Sequence, residues 1–165
     1  MPLVVFQAPW SRQLKIISLL SAALLLAIPF ILIGKSQQSP SLLYSIAIAL
    51  PPFILLLGAA FAIRGYSLVN NNLQILRPGW KTSISLEGLK EVKVDPKAMQ
   101  GSVRIFGNSG LFGYIGLFQN QQLGRYRAFV TDQEKALVLY FPGKTLVITP
   151  NKPEHMAEML RQHIR

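Results

Sequence analysis

The side chains best suited to bind something lie between Arg104 and Arg127. Five glycines (Gly107, Gly110, Gly113, Gly116 and Gly124) are interleaved with Phe106, Phe112, Tyr114, Phe118 and Tyr126, and Arg104, Arg125 and Arg127 add cations. Three readings of the segment stand open. A flexible loop around Gly107, Asn108 and Gly110 presents backbone N–H groups to an anion, aided by Arg104. An aromatic loop carrying Phe106, Phe112 and Tyr114 dips into a membrane interface. Or the glycines mark a tightly bent strand corner with the aromatics packed inward, which glycine in strands most often signals. The segment lacks the Gly-Lys-Ser/Thr of a phosphate-binding loop and its strand-to-helix context.

Elsewhere the residues argue against catalysis. There is no cysteine, so thiolate chemistry, disulfides and Cys-based metal sites are excluded. His155 and His163, the two histidines, are eight apart, not the four that places a metal pair on one helix face. No histidine accompanies a candidate serine in a nucleophile elbow. Asp95, Asp132 and Glu134 would pair only through the fold. These absences predict a protein that is not an enzyme and holds no cofactor and no metal.

Arg125 and Arg127, two apart, share one face of a strand. Lys90, Lys93 and Lys97 would extend a basic patch, but Glu87, Glu91 and Asp95 are mixed among them, as on an ordinary solvated surface. Aromatics beside arginines also occur in RNA-binding sheets. The ribonucleoprotein strand pattern is missing, so nucleic acid is not an expected partner.

Two uncharged apolar runs decide where these groups must work. Ile16–Gly34 and Leu42–Ile63 hold no charged residue. As helices they span roughly 28–33 Å, the thickness of a hydrocarbon core. The connection Lys35–Ser41 is short enough to force an antiparallel hairpin, with both ends of the chain on one side. Arg12, Lys15 and Arg64 flank that side against Lys35 in the loop, so the positive-inside rule places the termini and all that follows in the cytoplasm. Trp10, Tyr44 and Tyr66 fall near the expected interfaces. Pro29, Pro51 and Pro52 predict static kinks, and Ala23/Ala27 and Gly58/Ala62 offer small faces for packing within the hairpin. No small-residue cleavage site follows the first run, so it reads as a span and not a removed signal.

The formal net charge is +10. Such a balance favours anionic partners, and beside a membrane the nearest are lipid headgroups. Residues 1–65 thus read as a membrane anchor, and 66–165 as one mainly-β domain. Strands are expected at Tyr66–Val69, Leu73–Leu76, Thr82–Leu86, Glu91–Val94, Tyr114–Gln119, Arg125–Val130, Ala136–Phe141 and Thr145–Ile148, separated by Asn70–Asn72, Pro78-Gly79, Asn120–Gly124 and Pro142-Gly143 turns. A terminal helix follows. Asn151 is its expected N-cap, Glu154 closes a capping box, and Met156, Met159, Leu160 and Ile164 form the docking stripe, with Arg161 and Arg165 in the last turn. About seven antiparallel strands and one amphipathic helix predict a small barrel or sandwich capped by that helix.

The run Arg104-Ile-Phe-Gly-Asn-Ser-Gly-Leu-Phe-Gly-Tyr114 resembles a family of bacterial PH-like domain proteins that carry an N-terminal two-helix membrane hairpin. So do Leu123-Gly124-Arg-Tyr126 after Asn120, Thr131-Asp132, Leu73-x-Ile75-x-Arg77-x-Gly79-Trp80 and Ile148-Thr-Pro150-x-x-Pro153. The resemblance implies a pleckstrin-homology-like barrel and assigns no activity. Eukaryotic lipid-binding PH domains cluster basic residues in the first hairpin loop. Here that loop, Asn70–Asn72, is uncharged, which argues against specific phosphoinositide recognition. The expected function is a membrane-anchored interaction module that binds a protein or peptide partner, or a second copy of itself. The alternatives are a low-specificity sensor of anionic headgroups and an accessory subunit of a membrane enzyme or transporter.

Overall fold

The computed structural model describes residues 4–35 and 41–164. Most of the expected hairpin connection, residues 36–40, lies outside the described residues, as does Arg165.

Two serines start the two long helices. Ser11 Oγ accepts from the Leu14 N–H at 3.1 Å to cap α1 (Arg12–Gly34), and Ser41 does the same for Tyr44, at 3.3 Å, to cap α2 (Leu42–Phe61). The helices run side by side in opposite directions. The Tyr44 hydroxyl at the start of α2 donates to the Leu32 carbonyl at the end of α1. Each is long and apolar enough to cross a bilayer. Their surfaces are bare: Phe30 is 82% exposed, Leu42 77% and Leu19 72%.

The helix pair is an insertion between two paired strands. β1 (Val4–Gln7) precedes α1, β2 (Gly65–Val69) follows α2, and the two pair antiparallel from Val4↔Leu68 to Gln7↔Gly65. Residues 4–11, expected in the anchor, are therefore tied to the β domain, and Leu14 and Ser18 of α1 are buried against it. Ser11 N–H donates to the Thr131 carbonyl, Asn151 N–H donates to that of Gln7, and Leu14 of α1 is fully buried. Four apolar or neutral residues ahead of a basic helix start carry too little alternation to read as a strand; tertiary pairing decides it.

One sheet has the order β1-β2-β3-β4, with β3 (Asn72–Leu76) and β4 (Lys81–Ser85). The other has the order β5-β9-β10-β8-β7-β6, built from β5 (Glu91–Val94), β6 (Val103–Ser109), β7 (Tyr114–Asn120), β8 (Gly124–Val130), β9 (Leu137–Phe141) and β10 (Lys144–Ile148). The described residues thus hold ten strands where about seven were expected. Every expected strand is present, β1 and β6 are additional, and β8–β10 is parallel while the other pairs are antiparallel.

The first core lies between the sheets and under α3 (Pro153–Arg161), whose Met156, Ala157 and Leu160 are fully buried. The second core lies under the first turn of α1 and holds Leu14, Tyr114, Phe118 and Tyr126. Asn151 is not the cap of α3. Lys152 takes that position without a side-chain hydrogen bond; the Asn151 N–H donates to the Gln7 carbonyl, and the Asn151 Oδ1 is buried with no partner among the described residues. Tyr66 is no interface aromatic either. It is fully buried, its hydroxyl donating to the Phe129 carbonyl at 2.6 Å.

Candidate functional site

The Arg104–Tyr126 segment divides into parts with different work. Arg104, Phe106, Gly107 and Asn108 lie on β6, an edge strand. Gly107 and Gly116 face each other across β6 and β7 with φ of +109° and +141°. A Cβ on either would fall 2.2 or 2.1 Å from the opposite carbonyl oxygen, so only glycine fits this close crossing.

The next turn locks the domain to the helices. Asn108 closes it, its side-chain amide donating to the Leu111 carbonyl while its Oδ1 accepts from the Leu111 N–H at 3.3 Å. Ser18, buried on α1, donates to the Gly110 carbonyl at 3.0 Å and accepts from the Phe112 N–H at 2.9 Å. Phe112 packs against Trp10, and Leu111 and Phe112 lie on Gly58 of α2. Gly58, expected to serve contact between the helices, instead admits this turn. Tyr114 is buried in the second core. The segment is thus a glycine-bent strand and turn, with Tyr114 inward and Phe106 outward.

A cleft of about 540 Å³ opens beside it, between the ends of the two sheets and the foot of α2. Phe106, Gly107 and Asn108 form one wall; Phe61, the last residue of α2, forms another. Two arginines flank it. Arg127 and Phe129, two apart on β8, share a face, and the Arg127 guanidinium sits 5.0 Å from the Phe129 ring. Arg77 follows β3, where Pro78-Gly79 turns the chain so that Trp80 lies opposite it. Its guanidinium is 5.2 Å from the Phe61 ring, 5.9 Å from Trp80 and 5.7 Å from Phe129, and donates to the Phe61 carbonyl at 3.3 Å. That bond satisfies an orphan carbonyl at the end of α2.

A second hollow, of about 360 Å³, shares Arg127 and Leu117 with the first and adds Arg125 and Lys144. Neither is lined by an aspartate or glutamate. Among the described residues the ion pairs are Lys93–Asp95 at 3.7 Å and Lys135–Asp132 at 4.0 Å, both elsewhere. The cleft is therefore cationic without local compensation. Burial, then the charge of Arg127, pushes the Arg77 pKa below its ordinary value. The Arg77 Nε is also buried with no partner among the described residues. A different cavity, about 620 Å³, lies at the start of α1, where Arg12 shares the lining with Asp132 and Glu134, one base against two acids.

Of the residues expected at a site, the structure brings Phe106, Gly107, Asn108 and Arg127 together. Gly110 and Phe112 serve the helix contact, Arg125 lines the neighbouring hollow, and Arg104 lies on β6 outside both. Sequence reasoning missed Arg77, Phe61, Trp80 and Lys144. The signal was an arginine three residues before a tryptophan across a Pro-Gly turn. Among the described residues no cluster of His, Asp or Glu could hold a metal.

A family model described as Bacterial PH domain matches residues 64–164. The chain belongs to this family. PH domains typically serve as non-enzymatic interaction modules, and the mainly-β architecture with its C-terminal helix is the PH-like fold. No curated protein and no solved structure matches the chain.

Proposed function

We propose that the protein is a membrane-anchored, non-enzymatic interaction module. The pair α1–α2 crosses the cytoplasmic membrane, the β domain stands on the cytoplasmic face, and a protein or peptide segment is the partner. The bare apolar helix surfaces support the anchor, since in water such area would stay uncovered. Arg12, Lys15 and Arg64 on the domain side support the orientation.

The observation that carries the partner reading is the placement of β6. It is an edge strand, Val103 is 69% exposed with Ile105 also exposed, and the turn after it holds it beside the helices. Soluble proteins blunt or cover such edges, and an extended segment pairs with them. A photo-crosslinking residue at Ile105 in growing cells should give a discrete adduct heavier than the monomer, and the same residue at Glu87 should give none. No adduct from Ile105, or equal adducts from both, would defeat the protein-partner reading. The anionic-headgroup reading draws on another observation, the uncompensated arginines of the cleft.

A further inference from the structure

We infer that the cleft between Arg77 and Arg127 binds the phosphate of one anionic phospholipid drawn from the bilayer, with Phe61, Phe106 and Leu117 contacting its glycerol and upper acyl region. The inference rests on the anchoring reading above. Three observations carry it.

The first is depth. Phe61 ends α2 and lines the cleft, and Leu111 and Phe112 rest on Gly58 one turn earlier. The cleft therefore opens at the level where an inserted α2 leaves the hydrocarbon. The second is charge. Two guanidiniums stand over one aromatic ring with no acidic side chain lining the cleft, and Arg125 and Lys144 extend the same sign into the adjoining hollow. Arginine suits phosphate because its planar fork donates two parallel hydrogen bonds. Arg77 lines the cleft with one guanidinium nitrogen given to the Phe61 carbonyl, and its Nε is buried with no partner among the described residues. The third is the mixed lining. Apolar walls with a few convergent donors match an amphiphile better than a free ion, and about 540 Å³ is the size of a small-molecule site. The uncharged first hairpin loop, Asn70–Asn72, takes no part.

The test uses the full chain in nanodiscs of phosphatidylcholine mixed with phosphatidylglycerol, and counts by native mass spectrometry the lipids that stay bound after release from the disc. The wild type should retain phosphatidylglycerol in preference to phosphatidylcholine. Arg127→Gln should cut that preference about fivefold, as expected for one arginine near an anionic surface. Arg127→Lys should keep part of it, and Lys93→Gln should leave it unchanged. Arg77→Gln should act like Arg127→Gln, but it also removes the bond to Phe61; Arg127, which makes no such bond, is the decisive position. Equal retention of both lipids, or an Arg127→Gln variant that matches the wild type, overturns the site. Displacement of the lipid by millimolar inorganic phosphate also overturns it, in favour of a soluble phosphate ligand. A chain that enters the disc but shows no preference defeats this inference alone; a chain that never enters defeats the anchoring reading and this inference with it.

Discussion

Phe129 and Tyr66 show how single residues tie the cleft to the core. The Phe129 carbonyl accepts the Tyr66 hydroxyl, and its ring lies beside both arginines. Thr149 Oγ1 accepts from the Thr131 N–H at 2.9 Å, and the Thr149 N–H donates to the Tyr66 oxygen at 3.2 Å, completing a buried polar network. Burial pushes the Tyr66 phenol up to about 12, with the Thr149 and Thr131 hydrogen bonds offsetting part of the shift. Below pH about 10 both folded and unfolded chains keep this proton and the network contributes fully. Above it the unfolded chain releases the proton while the folded one holds it, so stability falls with rising pH, by about 2–3 kcal/mol near pH 12. Tyr66→Phe should cost about 1–2 kcal/mol at neutral pH and flatten part of the alkaline loss. Tyr114, Tyr126 and Tyr140 are also raised by burial, so the readout is the difference between wild type and variant in urea titrations at each pH. Little of this was legible in the sequence. An aromatic just after an apolar run reads as an interface residue, and only the β2–β8–β10 packing turns Tyr66 inward. The arginines divided the same way: Arg127 was visible from its spacing to Arg125, whereas Arg77 needed the end of α2 to acquire its neighbours.

Among elements, the turn Gly110–Gly113 decides how the β domain sits on the helices. Ser18→Ala removes a donor and an acceptor from a buried contact and should cost about 1–3 kcal/mol. Gly58→Leu would drive a side chain into Leu111 and Phe112, 3.0 and 3.1 Å from its Cβ, and should cost a similar amount. Both variants should speed amide exchange at residues 109–113 while leaving β9 and β10 protected, since local opening follows loss of local contacts. Unchanged exchange at the turn would contradict this account of the seam. The strands of alternating or continuous apolar pattern, β7 to β10 among them, were plain in the sequence, as was the docking face of α3. β6 was not. Its seven residues carry two glycine-flanked polar positions and show no buried face, so period-two alternation gives no signal. The start of α3 falls one residue later than its N-cap type suggests: Asn151 Oδ1 caps no helix N–H, and Lys152 stands at the cap.

At the scale of the whole molecule, the helices are an insertion in the β domain and not a leader ahead of it. β1 supplies the outer strand next to β2, and Phe6 and Ala8 belong to the first core. A fragment of residues 65–165 would lose that strand and expose β2, so it should be poorly folded by circular dichroism and prone to associate. A chain joining residues 4–11 to residues 64–165 through a short Gly/Ser linker in place of the helices should be better folded, because Gln7 and Gly65 are already paired. Equal folding of the two would show β1 to be dispensable. The same topology gives the domain two chain connections to the helices plus the Ser18 seam, which restricts its swing and keeps the cleft at one height.

That height is the central claim, and the absence of cysteine makes it measurable with single spin labels. Labels at Phe106→Cys and Glu87→Cys in the reconstituted full chain would be tested against a paramagnetic nickel chelate, either carried on lipid headgroups or free in water. The account predicts that the label at 106 relaxes strongly with the headgroup-bound chelate and the label at 87 only with the free one. Labels that respond alike, with neither sensing the headgroups, would contradict a cleft held at the membrane surface.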